Sequence, residues 1–203
     1  MHGKRWFLLL LGVGLLLILG LLLLWNLGEF SLASRRPTQT WTGLAPPISL
    51  EAAAIRAEAR ARAWAGDAIL VWVTAAWSPP PEWLETDYPP IAWSLYYYSA
   101  QQRALASVGI RGDQDYWSPP IPLEDPLPEL SPFPPAQGIN VAWLSFRAAG
   151  GQEFLQTHPG ATVQFRLRKE GEGLTWVVVG IAPPEAAFEV RVDAQNGRIL
   201  AVE

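Results

Sequence analysis

Thr162-Val163-Gln164-Phe165-Arg166-Leu167-Arg168 alternates apolar and polar side chains without interruption. Successive side chains of an extended chain point to opposite faces, so Val163, Phe165 and Leu167 share one face, and Thr162, Gln164, Arg166 and Arg168 the other. Further on, Phe188, Val190 and Val192 alternate with Glu189, Arg191 and Asp193 in the same way. Between them, Leu174 to Ile181 is mostly apolar, as a central strand is. A sheet with one apolar and one polar face needs a cover on one side only, which points to an antiparallel sheet carrying a helix on its apolar face. Asn196-Gly197, between Val192 and Ile199, is the dipeptide of a type I′ turn and predicts a short closing hairpin.

The cover is legible just upstream. Asn140 is a candidate N-cap, followed by a stripe of Val141, Leu144, Ala148, Gly151 and Leu155 at helical spacing. The same order of elements occurs earlier in the chain. Ser49 is a candidate N-cap with Glu51 in the first turn; Leu50, Ala54, Ala57, Ala61 and Trp64 form the stripe, and Gly66 marks the end. Arg56, Glu58, Arg60 and Arg62 occupy the wetter side. Both stripes are small in the middle, which lets a helix lie close to a sheet. Strands are expected at Ala68 to Trp77, Ile91 to Tyr98 and Arg103 to Ile110, all rich in β-branched and aromatic residues. Ile91-Ala92-Trp93 matches Leu174-Thr175-Trp176, and Val108-Gly109-Ile110 matches Val190-Arg191-Val192. The expected fold class is therefore α+β, with two tandem helix-plus-antiparallel-sheet (α-β-β-β) units at 48–118 and 138–203.

Proline punctuates this pattern. Ser78 to Pro90 holds five prolines and Pro119 to Pro135 holds eight. Proline has no N–H for a ladder and biases its predecessor toward extended geometry. The first stretch reads as a hairpin loop and the second, 119–137, as a linker between domains.

A helix ending in Gly150-Gly151-Gln152-Glu153-Phe154-Leu155, three antiparallel strands with Trp176 in the middle one, and a last strand running through Val190-Arg191-Val192-Asp193 to Asn196-Gly197-Arg198-Ile199 resemble a PepSY-type domain. The likeness covers about 138 to 203 and, more loosely, 48 to 118, where Arg111-Gly112-Asp113 replaces the Asp-x-x-x-Gly ending. The resemblance implies cystatin-like domains in tandem behind a membrane anchor. It also implies non-enzymatic work outside the cytoplasm: binding or inhibiting peptidases, or regulating envelope proteins. It brings no catalytic residues.

The amino terminus carries the location. Trp6 to Trp25 is a run of 20 residues without a charged side chain. At about 1.5 Å per residue it spans roughly 30 Å, the thickness of a bilayer's hydrocarbon core, with Trp at each interface. A cleaved secretory signal has an apolar core of only about 7–15 residues, so the run reads as a retained anchor despite the passable cleavage site Ser31-Leu32-Ala33. The expected layout is a cytoplasmic head 1–5, a single-pass signal-anchor 6–27 that is the chain's contact with the lipid bilayer, a juxtamembrane spacer 28–47, and extracytoplasmic domains beyond. Lys4 and Arg5 precede the span and Arg35 and Arg36 follow it, a slight bias toward this orientation.

Composition excludes several kinds of chemistry. No cysteine is present, which removes disulfide scaffolds, zinc ribbons, thiol catalysis and lipidation at cysteine. A net charge of −4 and a pI near 5.3 leave no basic surface for nucleic acid. His158 is the lone histidine of the exported part; in Thr157-His158-Pro159-Gly160, after a helix, it reads as a cap for the last carbonyls rather than as a base or ligand. Asp113, Asp115, Glu124 and Asp125 lack calcium-loop spacing, and Asp67 and Asp193 read as turn supports. No cofactor, metal or catalytic residue is expected. Gly150-Gly151 and Gly171-Glu172-Gly173 lack the flanks of a phosphate loop.

What remains is an aromatic cluster in the first unit: Trp72, Trp77, Trp83, Trp93, Tyr96, Tyr97, Tyr98, Tyr116 and Trp117. Alternation puts Trp93, Leu95 and Tyr97 on one face and Ser94, Tyr96 and Tyr98 on the other. One reading packs these rings against the proline-rich loops. The other makes Trp93, Tyr96, Tyr98 and Trp117 a ligand surface for an extended peptide or for the sugars of a wall polymer. The expected function is a membrane-anchored extracytoplasmic binding or regulatory module whose partner is an envelope protein or peptide. The alternatives are a cell-wall glycan-binding or glycan-hydrolysing protein using the aromatic cluster, and a structural tether that pairs its sheet edges.

Overall fold

The computed structural model describes residues 48–77 and 92–203. The expected head 1–5, membrane span 6–27 and spacer 28–47 lie outside the described residues, as do Trp83 and the prolines from Pro79 to Pro90. No helix among the described residues is long and apolar enough to cross a membrane.

Ser49 caps α1 (Leu50–Trp64): its hydroxyl accepts the Ala52 N–H at 3.2 Å, with Glu51 in the first turn. Leu50, Ala53, Ala54, Ala57 and Ala61 are buried, and Trp64 is half-buried. Four strands follow: β1 (Ile69–Trp77), β2 (Ala92–Ser99), β3 (Ala104–Arg111) and β4 (Gln114–Pro122). The second half begins with α2 (Ile139–Phe146), turns through Arg147–Gly151 into α3 (Gln152–Thr157), and continues as β5 (Thr162–Glu170), β6 (Gly173–Ala182), β7 (Ala186–Asp193) and β8 (Ile199–Val202).

All eight strands form one antiparallel sheet in the order β4-β3-β2-β1-β5-β6-β7-β8. The units expected at 48–118 and 138–203 are thus two halves of a single sheet, not separate domains, because β1 pairs directly with β5 from Trp72↔Arg168 to Trp77↔Val163. Alternation explains the join. Val73, Ala75 and Trp77 face the same way as Val163, Phe165 and Leu167, so pairing the two strands merges two apolar faces into one core under both helices.

The halves repeat each other in register as well as in order. Trp93 lies opposite Ile110 and Leu95 opposite Val108; Trp176 lies opposite Val192 and Val178 opposite Val190. The Trp93 indole donates to the Ile48 carbonyl, two residues before α1, and the Trp176 indole donates to the Gln137 carbonyl, two residues before α2, both at 2.9 Å. Each tryptophan thereby ties its strand to the entry of its own helix. Val73 and Ala75 pair with Leu95 and Trp93, just as Phe165 and Leu167 pair with Val178 and Trp176. A pseudo-two-fold axis therefore passes through the central Thr74–Arg166 pair. Each half has four strands, one more than the α-β-β-β expectation.

The second helix departs from its predicted stripe. Its buried residues are Ile139, Ala142, Trp143 and Phe146, whereas Leu144 is 42% exposed, Ala148 is exposed and Val141 is half-buried. Gly138, not Asn140, stands at the cap position. The stripe ran one helical phase back from Leu155, but Gly150 has φ +115 and breaks that phase. The break lets the chain fold tightly over itself: a Cβ at Gly151 would lie 2.3 Å from the Phe146 ring. Upstream of it, the larger rings of Trp143 and Phe146 take the buried positions, stacked 5.8 Å apart, with Trp77 edge-on to Trp143 at 5.2 Å.

The proline-rich segment is also no bare linker. Pro119, Pro120 and Pro122 lie in β4, at the sheet's edge, where missing N–H groups cost no ladder bond. Beyond it the chain straps across the helix-free face of the first half. Leu123 N–H donates to the Arg103 carbonyl at 2.9 Å and Leu130 N–H to the Leu70 carbonyl at 2.8 Å. Leu123 and Leu127 pack on a second small core of Val71, Tyr98 and Leu105, while Leu130, 2% exposed, joins the main core. An irregularity between Leu70 and Trp72 lets both Val71 and Trp72 join this second core.

Candidate interaction surfaces

The four aromatic residues singled out as a ligand surface do not meet. Trp93 is 1% exposed in the main core, held by its bond to Ile48. Trp117 lies on the same face, half-buried against Trp64 at 5.8 Å. Tyr96 and Tyr98 lie on the opposite face, where Tyr98 is 3% exposed beneath the strap and Tyr96 packs, tilted by 35°, on Trp72 at 4.7 Å. A sheet separates the two pairs, so they form no common groove. Trp93 and Trp117 pack in the main core, and Tyr96 and Tyr98 in the second core with Leu123 and Leu127 of the strap.

The polar candidates are likewise occupied by structure. His158 Nδ1 lies 2.9 Å from the Phe154 carbonyl, and its ring lies 4.5 Å from that of Phe154, which closes α3. Asp67 accepts from the Ser99 hydroxyl at 2.7 Å and the Gln101 N–H at 2.9 Å. These bonds, the Ser99 one foremost, hold its carboxyl below the usual range. Asp193 accepts from Gln195 N–H at 2.7 Å and the Asn196 amide at 2.8 Å, shaping the turn in which Gly197 takes φ +77. Asp115 pairs with Arg56, which also donates to the Gly112 carbonyl and so pins α1 to the β3–β4 turn. Glu124 faces Arg103 at 3.8 Å. No group of three metal-ligating side chains occurs among the described residues.

The helix-free face of the second half is solvated. Arg168 pairs with Glu170, and Arg191 with Glu189 at 2.7 Å and Glu203 at 3.6 Å, and the Arg191 stem lies opposite the buried Val177. Glu189 beside it raises the Arg191 pKa, so this cation stays charged.

The two sheet edges differ sharply. Prolines guard β4. β8 carries no proline or charge within its four residues, and Ile199, Leu200 and Val202 are 40%, 45% and 48% exposed. Val202 lies opposite Val190 and Ile199 opposite Val192, so these side chains stand on the helix side of the sheet. The outer flank of α2 adjoins them: a Cβ at Gly197 would lie 3.0 Å from Val141, and Leu144 is one turn along. Leu144, Ile199, Leu200 and Val202 account for four of the seven large apolar side chains exposed among the described residues. Clustering at one edge distinguishes them from scattered surface leucines. Sequence reading missed this surface because it counted Val141 and Leu144 as core; the signal was the unalternating run Ile199-Leu200-Ala201-Val202 after the turn.

No described protein family matches the chain, and no curated protein does. Among solved structures, the crystal structure of a candidate lipoprotein from Clostridium difficile 630 is similar over 81% of this chain and 97% of its own, at 13% sequence identity and a TM-score of 0.46.

Proposed function

We propose that the chain is a membrane-anchored, extracytoplasmic, non-enzymatic binding module that engages protein partners in the cell envelope through the open β8 edge. The carrying observation is the contrast between the edges: one carries three prolines in the second half of its strand, and the other, with no proline, offers free strand groups beside a cluster of apolar side chains. Strand addition at such an edge gives affinity through main-chain bonds, and apolar shoulders give specificity. The apolar run expected to anchor the chain at 6–27 and the PepSY resemblance support the location and the regulatory character, with envelope peptidases as one partner class. The four aromatic candidates, with Trp93 and Tyr98 buried, Tyr96 and Trp117 half-buried and the sheet between the pairs, favour this reading over a wall-glycan site.

The test uses the full chain in nanodiscs, presented with purified envelope peptidases and a library of strand-forming peptides. Binding to at least one, lost on Val202→Pro, is expected. Failure of every partner to bind, or hydrolysis of peptidoglycan by the chain, would overturn the proposal.

A further inference from the structure

Resting on that reading of the β8 edge, we infer that one occupant of the edge is a second copy of this chain, its β8 running antiparallel to the first about a two-fold axis. The fold already contains such a junction. At β1·β5 two like four-stranded units meet edge to edge about the Thr74–Arg166 pair, with both helices on the same side. α1 lies over β2 and β3, and α2 over β6 and β7. Four strand spacings therefore separate the helices, about 19 Å at about 4.8 Å per strand. Pairing β8 with a second β8 places the two α2 helices four strand spacings apart as well, on one side of a sixteen-stranded sheet. The internal gap is filled by Val73, Ala75, Phe165 and Leu167 from the strands and Trp143 from the helix. The new gap would be lined by Ile199, Leu200 and Val202 from the strands and Leu144 from the helices, the side chains now exposed.

Hydrogen-bond parity narrows the register. Glu189 and Glu203 exchange both of their backbone bonds at 2.9 Å, and Arg191 lies opposite Ala201. Antiparallel alternation then turns the N–H and C=O of Leu200 and Val202 outward. A two-fold axis perpendicular to the sheet requires a residue to oppose itself, because side chains must keep their face. With Ala201 at the axis, Leu200 bonds Val202 of the other copy and Val202 bonds its Leu200. The contact is apolar against apolar at both symmetric positions, with a small side chain at the centre. An isologous contact of this kind closes on itself and leaves β4, guarded by proline, at both outer ends.

The chain has no cysteine, so single-cysteine variants report proximity without background. In full-length protein in membranes, Ala201→Cys is expected to give a disulfide-linked dimer on mild oxidation, and Ser118→Cys on β4 is not. Val202→Pro removes an outward N–H while leaving the β7 bonds of Ala201 and Glu203. Leu144→Asp charges the exposed shoulder without touching the core. Each is expected to cut Ala201→Cys cross-linking at least tenfold with unchanged circular dichroism. If Val202→Pro disturbs folding, Leu144→Asp decides alone. Absence of the Ala201→Cys dimer, or its persistence in both variants, overturns the inference. A chain that stays uncross-linked yet loses partner binding on Val202→Pro would refute the second copy while leaving the edge reading intact.

Discussion

Replacing Trp176 by Phe removes one bond at a position that its counterpart, Trp93, duplicates in the other half of the molecule. Trp176 is fully buried, and its indole donates to the Gln137 carbonyl at 2.9 Å. Losing the donor leaves that carbonyl unsatisfied, at a cost of about 1–3 kcal/mol. Phe is smaller by roughly 40 Å³, and at about 24 cal/mol per Å³ the residual cavity adds about 1 kcal/mol. The sum is about 2–4 kcal/mol, or roughly 4–16 °C in Tm for a body of this size. Trp93→Phe breaks the bond to Ile48 in the same environment, so the same sum applies. The two tryptophans sit on strands three spacings apart, about 14 Å, so the double variant should be additive to within about 0.5 kcal/mol. Unfolding of the full chain in nanodiscs, followed by near- and far-ultraviolet circular dichroism, is the assay. One sheet predicts one cooperative transition that both substitutions lower by similar amounts. Two transitions, each moved by only one substitution, would refute the reasoning.

Other expectations concern the strap, the kink and the first turn. Leu130→Ala should cost about 2–5 kcal/mol in denaturant unfolding, because the side chain is 2% exposed in the main core; a mere linker residue would cost nothing measurable. Gly151→Ala should destabilise by about 3 kcal/mol or more, since the new Cβ would lie 2.3 Å from the Phe146 ring and 2.6 Å from its carbonyl oxygen; a neutral thermal scan would contradict the kinked packing. Asp67 has its carboxyl held below the ordinary value of 3.8 by Ser99 and Gln101. Its folded pKa is thus lower than its unfolded one, so its stabilisation is complete above the unfolded value and disappears as pH falls through the folded one. Asp67→Asn should therefore melt below wild type at pH 7, with the gap closing as the pH drops below 3.8; a gap independent of pH would dismiss the charge as its source.

The strands and the first helix were readable because their signals are local. Strict alternation at Thr162 to Arg168 and the Ser49 cap depend on neighbouring residues alone, and the paired markers Trp93/Trp176 and Ile110/Val192 occupy matching registers. The joining of the halves was not readable, because no local pattern states which edge β1 will meet. Its extent was predicted; its partner was supplied by β5 at long range. The strap was misread for a related reason. Prolines exclude interior ladder bonds, but they do not prevent a chain from crossing a sheet face with Leu123 and Leu127 packed on it and Leu130 entering the main core. The phase error in α2 came from carrying one helical period across Gly150, whose φ of +115 resets it. That same error concealed the exposed shoulder at Leu144. The aromatic cluster held two readings that sequence left open, and burial of Tyr98 beneath the strap favours packing.

Backbone hydrogen exchange on the full chain tests the central claim, one continuous sheet with its free edge at β8, most directly. In this architecture β1 and β5 lie at the middle of eight strands, so peptides covering 69–77 and 162–170 should exchange only through global unfolding, while 199–202, in chains whose β8 no second copy covers, exchanges by local fraying. Equal and rapid exchange of β1, β5 and β8 would make the first two edges of separate domains and contradict the account.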